Sequence, residues 1–96
     1  MPAVHRHQDI GTGHGCYPSR PNAEGSTNVF VNNKGAHTAG MAWEPHGCNV
    51  CAPHSSVQAT GSTTVFVNGK PLARIGDDVA CGSKNATGSP NVFAGG

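Results

Sequence analysis

The sequence predicts an all-β fold: three β-hairpin repeats about a pseudo-threefold axis, joined by long loops that a single zinc ion staples together. Three observations predict it. The phrase Gly-Ser-x-[Asn/Thr]-Val-Phe occurs three times, starting at Gly25, Gly61 and Gly88, and self-similarity of this kind marks a repeated supersecondary unit. Strand-forming residues cluster at those same places, while no stretch carries the 3.6-residue apolar period of a helix. A side chain able to bind metal, His or Cys, recurs at one matching point of each unit.

The elements follow in order. Thr27-Asn28-Val29-Phe30-Val31 is β-branched and aromatic and reads as a strand, and Asn32-Asn33 after it tolerates the positive φ of a tight turn. Thr63-Thr64-Val65-Phe66-Val67 is the second strand. It leads into Asn68-Gly69, a strong two-residue hairpin signal because a type I′ turn needs positive φ at both central residues. The chain then returns through Pro71-Leu72-Ala73-Arg74-Ile75. Asn91-Val92-Phe93-Ala94 is the third and shortest strand. Segments rich in Gly, Pro, Ser and Asn, such as Tyr17-Pro18-Ser19-Arg20-Pro21-Asn22 and Trp43-Glu44-Pro45-His46-Gly47, read as loops.

Composition narrows the function classes. Residues 1–96 are of a size for one domain. Charged residues make up 11% of the chain and the net charge is +1; the six Lys and Arg are scattered and read as solvated, which excludes a nucleic-acid surface. Fifteen residues are Val, Ile, Leu or Phe, so the core is thin and a domain of this size needs a staple. No apolar run approaches a membrane span, and the N-terminus does not resemble a signal peptide. Synthesis in the cytoplasm is expected, a compartment where the four cysteines read as metal ligands or thiols before disulfides.

The staple can be assigned to residues once the chain is read as wrapping from its C-terminus back to its N-terminus. Arg6-His7-Gln8-Asp9, Thr38-Ala39-Gly40-Met41 and Arg74-Ile75-Gly76-Asp77 then align, and His14, His46 and Cys81 follow five, five and four residues later. His54, eight residues after His46 in a Pro-flanked loop, is the fourth ligand chosen. A closed His3Cys set suits structural zinc, which takes four tetrahedral ligands and leaves no open position for an activated water. By the same alignment Cys16, Cys48 and Ser83 form a second ring of small buried side chains. His5, His7 and His37 have no evident counterparts and are expected at the surface.

Cys48-Asn49-Val50-Cys51 supports an alternative, a free-standing zinc or thiol-redox protein using Cys48 and Cys51, although the βαβ context of a thioredoxin-like motif is missing. Asp9, Asp77 and Asp78 fall in turns, where carboxylates ordinarily bond backbone amides. Ser55 and Ser56 beside His54 do not amount to the geometry of an activated nucleophile. No enzyme is predicted.

Pro71-Leu72-Ala73-Arg74-Ile75-Gly76-Asp77, following Val65-Phe66-Val67-Asn68-Gly69-Lys70, resembles the PAAR-repeat family, and the likeness runs from Pro2-Ala3-Val4 to Phe93. The resemblance implies a small monomeric cone capping the blunt end of a trimeric β-helical spike, one copy per trimer, in a type VI secretion system or a contractile phage tail. It implies a zinc near the apex on His14, His46, His54 and Cys81. The strands beginning at Asn28, Thr64 and Asn91, with Phe30, Phe66 and Phe93, would face the spike, whose unpaired edges need a cover. A bare tip without extensions, assembled at the end of the spike, delivered into the target envelope and meeting a membrane only transiently, is the expected part. Gly35-Ala36-His37-Thr38 lacks the Pro and Arg of the motif, and Met41 stands where the other units have Asp.

Overall fold

Among the described residues, eight short strands form four antiparallel pairs: β1 (Ile10–Gly11) with β2 (Arg20–Pro21), β3 (Phe30–Val31) with β4 (Lys34–Gly35), β5 (Ala42–Cys48) with β6 (Cys51–Val57), and β7 (Phe66–Val67) with β8 (Lys70–Pro71). The computed structural model describes residues 2–13, 18–48 and 51–95, and for 45–48 and 51–55 the backbone alone. Among the described residues there is no helix.

Both asparagine turns have the predicted geometry. Asn32 and Asn33 sit at φ 53° and 66°, and Asn68 and Gly69 at φ 53° and 80°, so each two-residue loop matches the twist of its flanking strands. A third antiparallel contact joins the two ends of the chain. Phe93 bridges Ala3, and the Val4 amide donates to Val92 O at 2.9 Å. The other two hairpins repeat this bond, from the Ala36 amide to Val29 O and from the Leu72 amide to Val65 O, both at 3.0 Å.

The strands are shorter than their sequences predict, and three serines explain why. Ser26 Oγ accepts the amides of Asn28 and Val29, Ser62 Oγ those of Thr64 and Val65, and Ser89 Oγ those of Asn91 and Val92. Side-chain bonds to nearby backbone compete with a sheet ladder. The segment after each serine therefore bends, and regular pairing starts late. The glycine before each serine is dictated by crowding. A Cβ at Gly25, Gly61 or Gly88 would lie 2.9 Å from Gly35 O, 2.8 Å from Leu72 O or 2.7 Å from Val4 O.

Two predicted loops turn out to be strands. Residues 43–47 lie inside β5, and Arg20–Pro21 forms β2. Proline and glycine concealed the strand character of β5 because its ladder is irregular. The register shifts between Trp43 and His46, where Pro45 lies, and again between His46 and Cys48, and bulges are where a strand tolerates proline.

The returns of the β3–β4 and β7–β8 hairpins and the N-terminal segment meet in a closed ring of backbone hydrogen bonds. The His5 amide donates to Ala73 O at 2.9 Å, the Ala73 amide to His37 O at 2.8 Å, and the His37 amide to His5 O at 3.3 Å. Bridges Val4↔Arg74, Arg6↔Ala36 and Thr38↔Leu72 flank the ring. Val4, Ala36 and Leu72, next to the ring residues in sequence, join Val67 and Ala94 in the apolar cluster. It is as thin as composition predicts. Among the described residues, thirteen buried side chains are polar or charged against eight apolar ones, so hydrogen bonding must stabilise much of this interior.

Candidate functional site

Along its longest axis the molecule measures 39 Å, against 24 and 22 Å across, and two regions of functional interest are defined by chemistry. The first surrounds Cys81. Residues 79–83 form a tight turn closed by the Val79 amide on Ser83 O at 2.8 Å and the Gly82 amide on Val79 O at 2.9 Å, with Gly82 at φ 107°. The turn rests on the end of the long hairpin through the Gln58↔Val79 bridge and the bond from the Ala80 amide to Val57 O.

In that long hairpin the backbone register sets His46 directly opposite His54 and Cys48 opposite Cys51. Their side chains lie outside the described atoms. His14 lies outside the described residues, as do Cys16, Asn49 and Val50. The segment that leads to His14 nonetheless runs beside the Cys81 turn. Gly11 bridges Asn85, and the Thr12 amide donates to Lys84 O at 2.8 Å. Of the four predicted ligands, Cys81 alone has a described side chain, and among the described residues no three His, Cys, Asp or Glu side chains gather closely enough for a metal.

Arg20 organises the sulfur's surroundings. Its Nη2 donates to Cys81 Sγ at 3.2 Å, its Nη1 to Ser83 Oγ at 3.0 Å and its Nε to Glu44 O at 3.3 Å. The guanidinium lies 4.7 Å from the centre of the Trp43 ring, a cation–π arrangement. At 5% exposure Arg20 is not the solvated charge predicted. Ser83 is buried, as expected for its ring of small side chains. The Trp43 ring fits because residue 11 is glycine; a Cβ there would come within 2.8 Å of it. Trp43 Nε1 donates to Gln58 Oε1 at 3.1 Å.

His5 and His37 pack against the same indole and correct the expectation that they are surface residues. Both are 0% exposed. His5 stacks on Trp43 at 5.3 Å between centroids, and His37 meets it edge-on at 5.5 Å. Each has Nδ1 at 2.8 Å from a carbonyl, Thr87 O for His5 and Glu24 O for His37, so each donates from that nitrogen as the neutral ring. His5 Nε2 then accepts from Asn22 Nδ2 at 3.0 Å, whereas His37 Nε2 is buried with no hydrogen-bond partner. Burial depresses both imidazoles, and the His37 pKa falls to about 4. The signal missed in the sequence was alignment: Val4-His5, Ala36-His37 and Leu72-Ala73 occupy matching positions of the ring.

The second region is apolar and faces outward. Phe30, Phe66 and Phe93 are 60%, 55% and 49% exposed, with Val29, Val65 and Val92 partly exposed beside them. The hairpins bearing them touch through asparagines: Asn32 Nδ2 donates to Asn91 Oδ1 at 2.9 Å, and Asn68 Nδ2 to Asn28 Oδ1 at 3.0 Å. Three phenylalanine rings, one on each of these segments, thus lie open to solvent.

Comparison with known proteins places this architecture. Residues 12–87 match the family described as PAAR motif. The chain is 40% identical over 77 residues to the NAD(P)(+) glycohydrolase toxin Tse6 of Pseudomonas aeruginosa, and to the same extent to the (p)ppApp synthetase toxin Tas1 of that species. Against the double-stranded DNA deaminase toxin A of Burkholderia cenocepacia it is 35% identical over 71 residues. These alignments cover 75% and 72% of the chain but span 18% and 5% of the relatives. With that family model matched over residues 12–87, most of its length, the chain belongs to the PAAR motif family.

Proposed function

We propose that this chain is the zinc-stapled, pseudo-threefold tip of a contractile injection machine, seated as one copy on a trimeric β-helical spike. The observation that carries this reading is the pairing of a closed three-hairpin ring with three exposed phenylalanines. Ordinary folding would bury Phe30, Phe66 and Phe93, so a partner surface is their natural cover. The ring gives that partner three similar hairpins, which suits a three-chain pedestal with three open edges. Asn28, Thr64 and Asn91 open the segments that would meet it. The toxin names of the relatives favour a type VI secretion spike over a phage tail.

The zinc would bind His14, His46, His54 and Cys81. Support comes from the backbone register that brings His46 opposite His54, the Thr12 bond that guides the His14 segment past the Cys81 turn, and the guanidinium donor on the Cys81 sulfur, a setting suited to a thiolate. Bound there, the ion would cross-link the loops and stiffen the narrow end against thrust. In this reading the protein acts mechanically, meets the target membrane only as the spike passes, and is not an enzyme. A second reading, a small zinc or thiol-redox protein, has the Cys48↔Cys51 register in its favour.

Co-purification with a trimeric β-helical spike protein tests the first reading. One copy per trimer is expected, lost in the F30S/F66S/F93S variant while the fold persists by circular dichroism. One tightly held zinc, absent in Cys81→Ser and retained in Cys48→Ser/Cys51→Ser, is expected alongside. Retention of the spike complex by the triple variant, or zinc that follows Cys48 and Cys51, would overturn it.

A further inference from the structure

We infer that Arg20 is a positioning residue for the metal centre, locking the Cys81 sulfur from outside the ligand set. The inference rests on the zinc reading above and deepens it. Arg20 is nearly buried, and among the described residues no carboxylate lies within ion-pair range of it. A buried cation costs several kcal/mol unless it is paired. Two of the acceptors it reaches, Ser83 Oγ and Glu44 O, are neutral, and the third is Cys81 Sγ at 3.2 Å. Sulfur is the acceptor of the three able to carry negative charge, as it does when it ligates a metal.

The guanidinium cannot easily move away. Trp43 flanks its face, itself backed by His5 and admitted by the missing side chain at Gly11. The fork then spans residues 81 and 83 of one tight turn, so a single rigid group sets both the turn and the direction of the sulfur. Groups behind the ligands commonly govern metal affinity in this way. An N–H donor on a ligating sulfur also lowers the energy of its lone pairs, which gives an optical signature independent of folding stability.

Cobalt substitution reads that signature through the sulfur-to-cobalt charge-transfer band in the near ultraviolet. In Arg20→Met the band is expected to move to lower energy, and zinc affinity measured against a competing chelator to fall about tenfold. Ser83→Ala, which frees one arm of the fork, should move the band the same way by less. An unshifted band with affinity within about twofold of the parent chain would overturn the role of Arg20 while leaving the zinc reading intact. Should Arg20→Met fail to fold, an unshifted band in Ser83→Ala overturns it instead. If the unsubstituted chain takes up no cobalt or shows no sulfur band, the zinc reading itself fails, and the inference with it.

Discussion

The corner at Arg6–Asp9 and the corner at Thr38–Met41 have the same backbone and different chemistry. In the first, Asp9 Oδ2 accepts the Arg6 amide and Nε, both at 2.8 Å, and Oδ1 accepts Arg6 Nη2 at 3.1 Å. Burial alone would raise the Asp9 carboxyl, but the Arg6 guanidinium and amide hold it below the usual carboxylate range. In the second, the thioether of Met41 takes the place of the carboxylate and accepts the Thr38 amide at 3.4 Å. The turn survives the exchange: the Asp9 amide reaches Arg6 O at 3.0 Å and the Met41 amide reaches Thr38 O at 3.2 Å. The corner at Arg74–Asp77 repeats the first, with the Asp77 amide on Arg74 O at 3.1 Å. Backbone closure therefore makes these corners, and the ion pair is added to a turn that forms without it.

Breaking one partner of the pair is expected to have the largest effect. Asp77→Ala strips three acceptor contacts from Arg74 and leaves a nearly buried guanidinium that, among the described residues, holds Gly95 O at 3.0 Å. Loss of a buried partner typically costs about 3–5 kcal/mol, and the slight exposure of this pair places the expectation at about 2–3 kcal/mol, read by chemical denaturation. A loss below about 0.5 kcal/mol would mean that the pair is decorative even where present.

The ring position offers the reverse contrast, with histidine in two units and alanine in the third. His5, His37 and Ala73 share the same hydrogen-bonded backbone, yet the histidines must stay neutral against Trp43. The folded-state pKa of His37 lies near 4, below its unfolded value of 6.5. Its contribution is therefore present above pH 6.5 and lost as pH falls toward 4, because the unfolded chain takes up the proton first. By pH 5 the loss from His37 is expected to reach about 2 kcal/mol. Acid would also protonate the proposed zinc ligands, so the check is a difference: stability against pH for the parent chain minus that for His37→Leu. Parallel curves would place the acid sensitivity elsewhere.

The smallest effect is expected from transplanting one corner onto the other. The double variant R74T/D77M gives the third corner the side chains of the second, removing cation and carboxylate together. Replacing both partners of a pair is often close to neutral, so a change within about 1 kcal/mol is expected, well short of Asp77→Ala alone. Were the double variant as unstable as the single one, Met41 would owe its tolerance to its own surroundings, and the two corners would not be interchangeable.

Local chemistry made much of this fold legible. Asn68-Gly69 announced a two-residue turn, and Asn32-Asn33 a weaker one, because few residues accept positive φ and the requirement is met within two positions. The recurring Gly-Ser-x-[Asn/Thr]-Val-Phe located two hairpins and the segment that pairs the chain ends, since glycine is forced by a carbonyl and serine captures amides two and three residues ahead. Asp9 and Asp77 were read as turn carboxylates for the same reason. Of the candidate site, the sequence offered a proposed ligand set, and the outward-facing Phe30, Phe66 and Phe93 were expected from the family resemblance rather than from any hydropathy pattern.

Other features depend on partners far away in the chain, and no local pattern encodes them. Arg20 became a buried residue because Ser83 and Cys81, more than sixty positions on, accept its fork. His5 and His37 became core residues because Trp43 and carbonyls at Thr87 and Glu24 surround them. The strand at residues 42–48 stayed hidden behind its proline and glycine, since only its pairing with 51–57 sets where the bulges fall. Turns and repeats were thus determined by sequence alone, being settled by torsion preferences over a few residues. Which polar side chains are buried was decided by tertiary structure, because a buried polar group is stable only where the rest of the fold brings its partners.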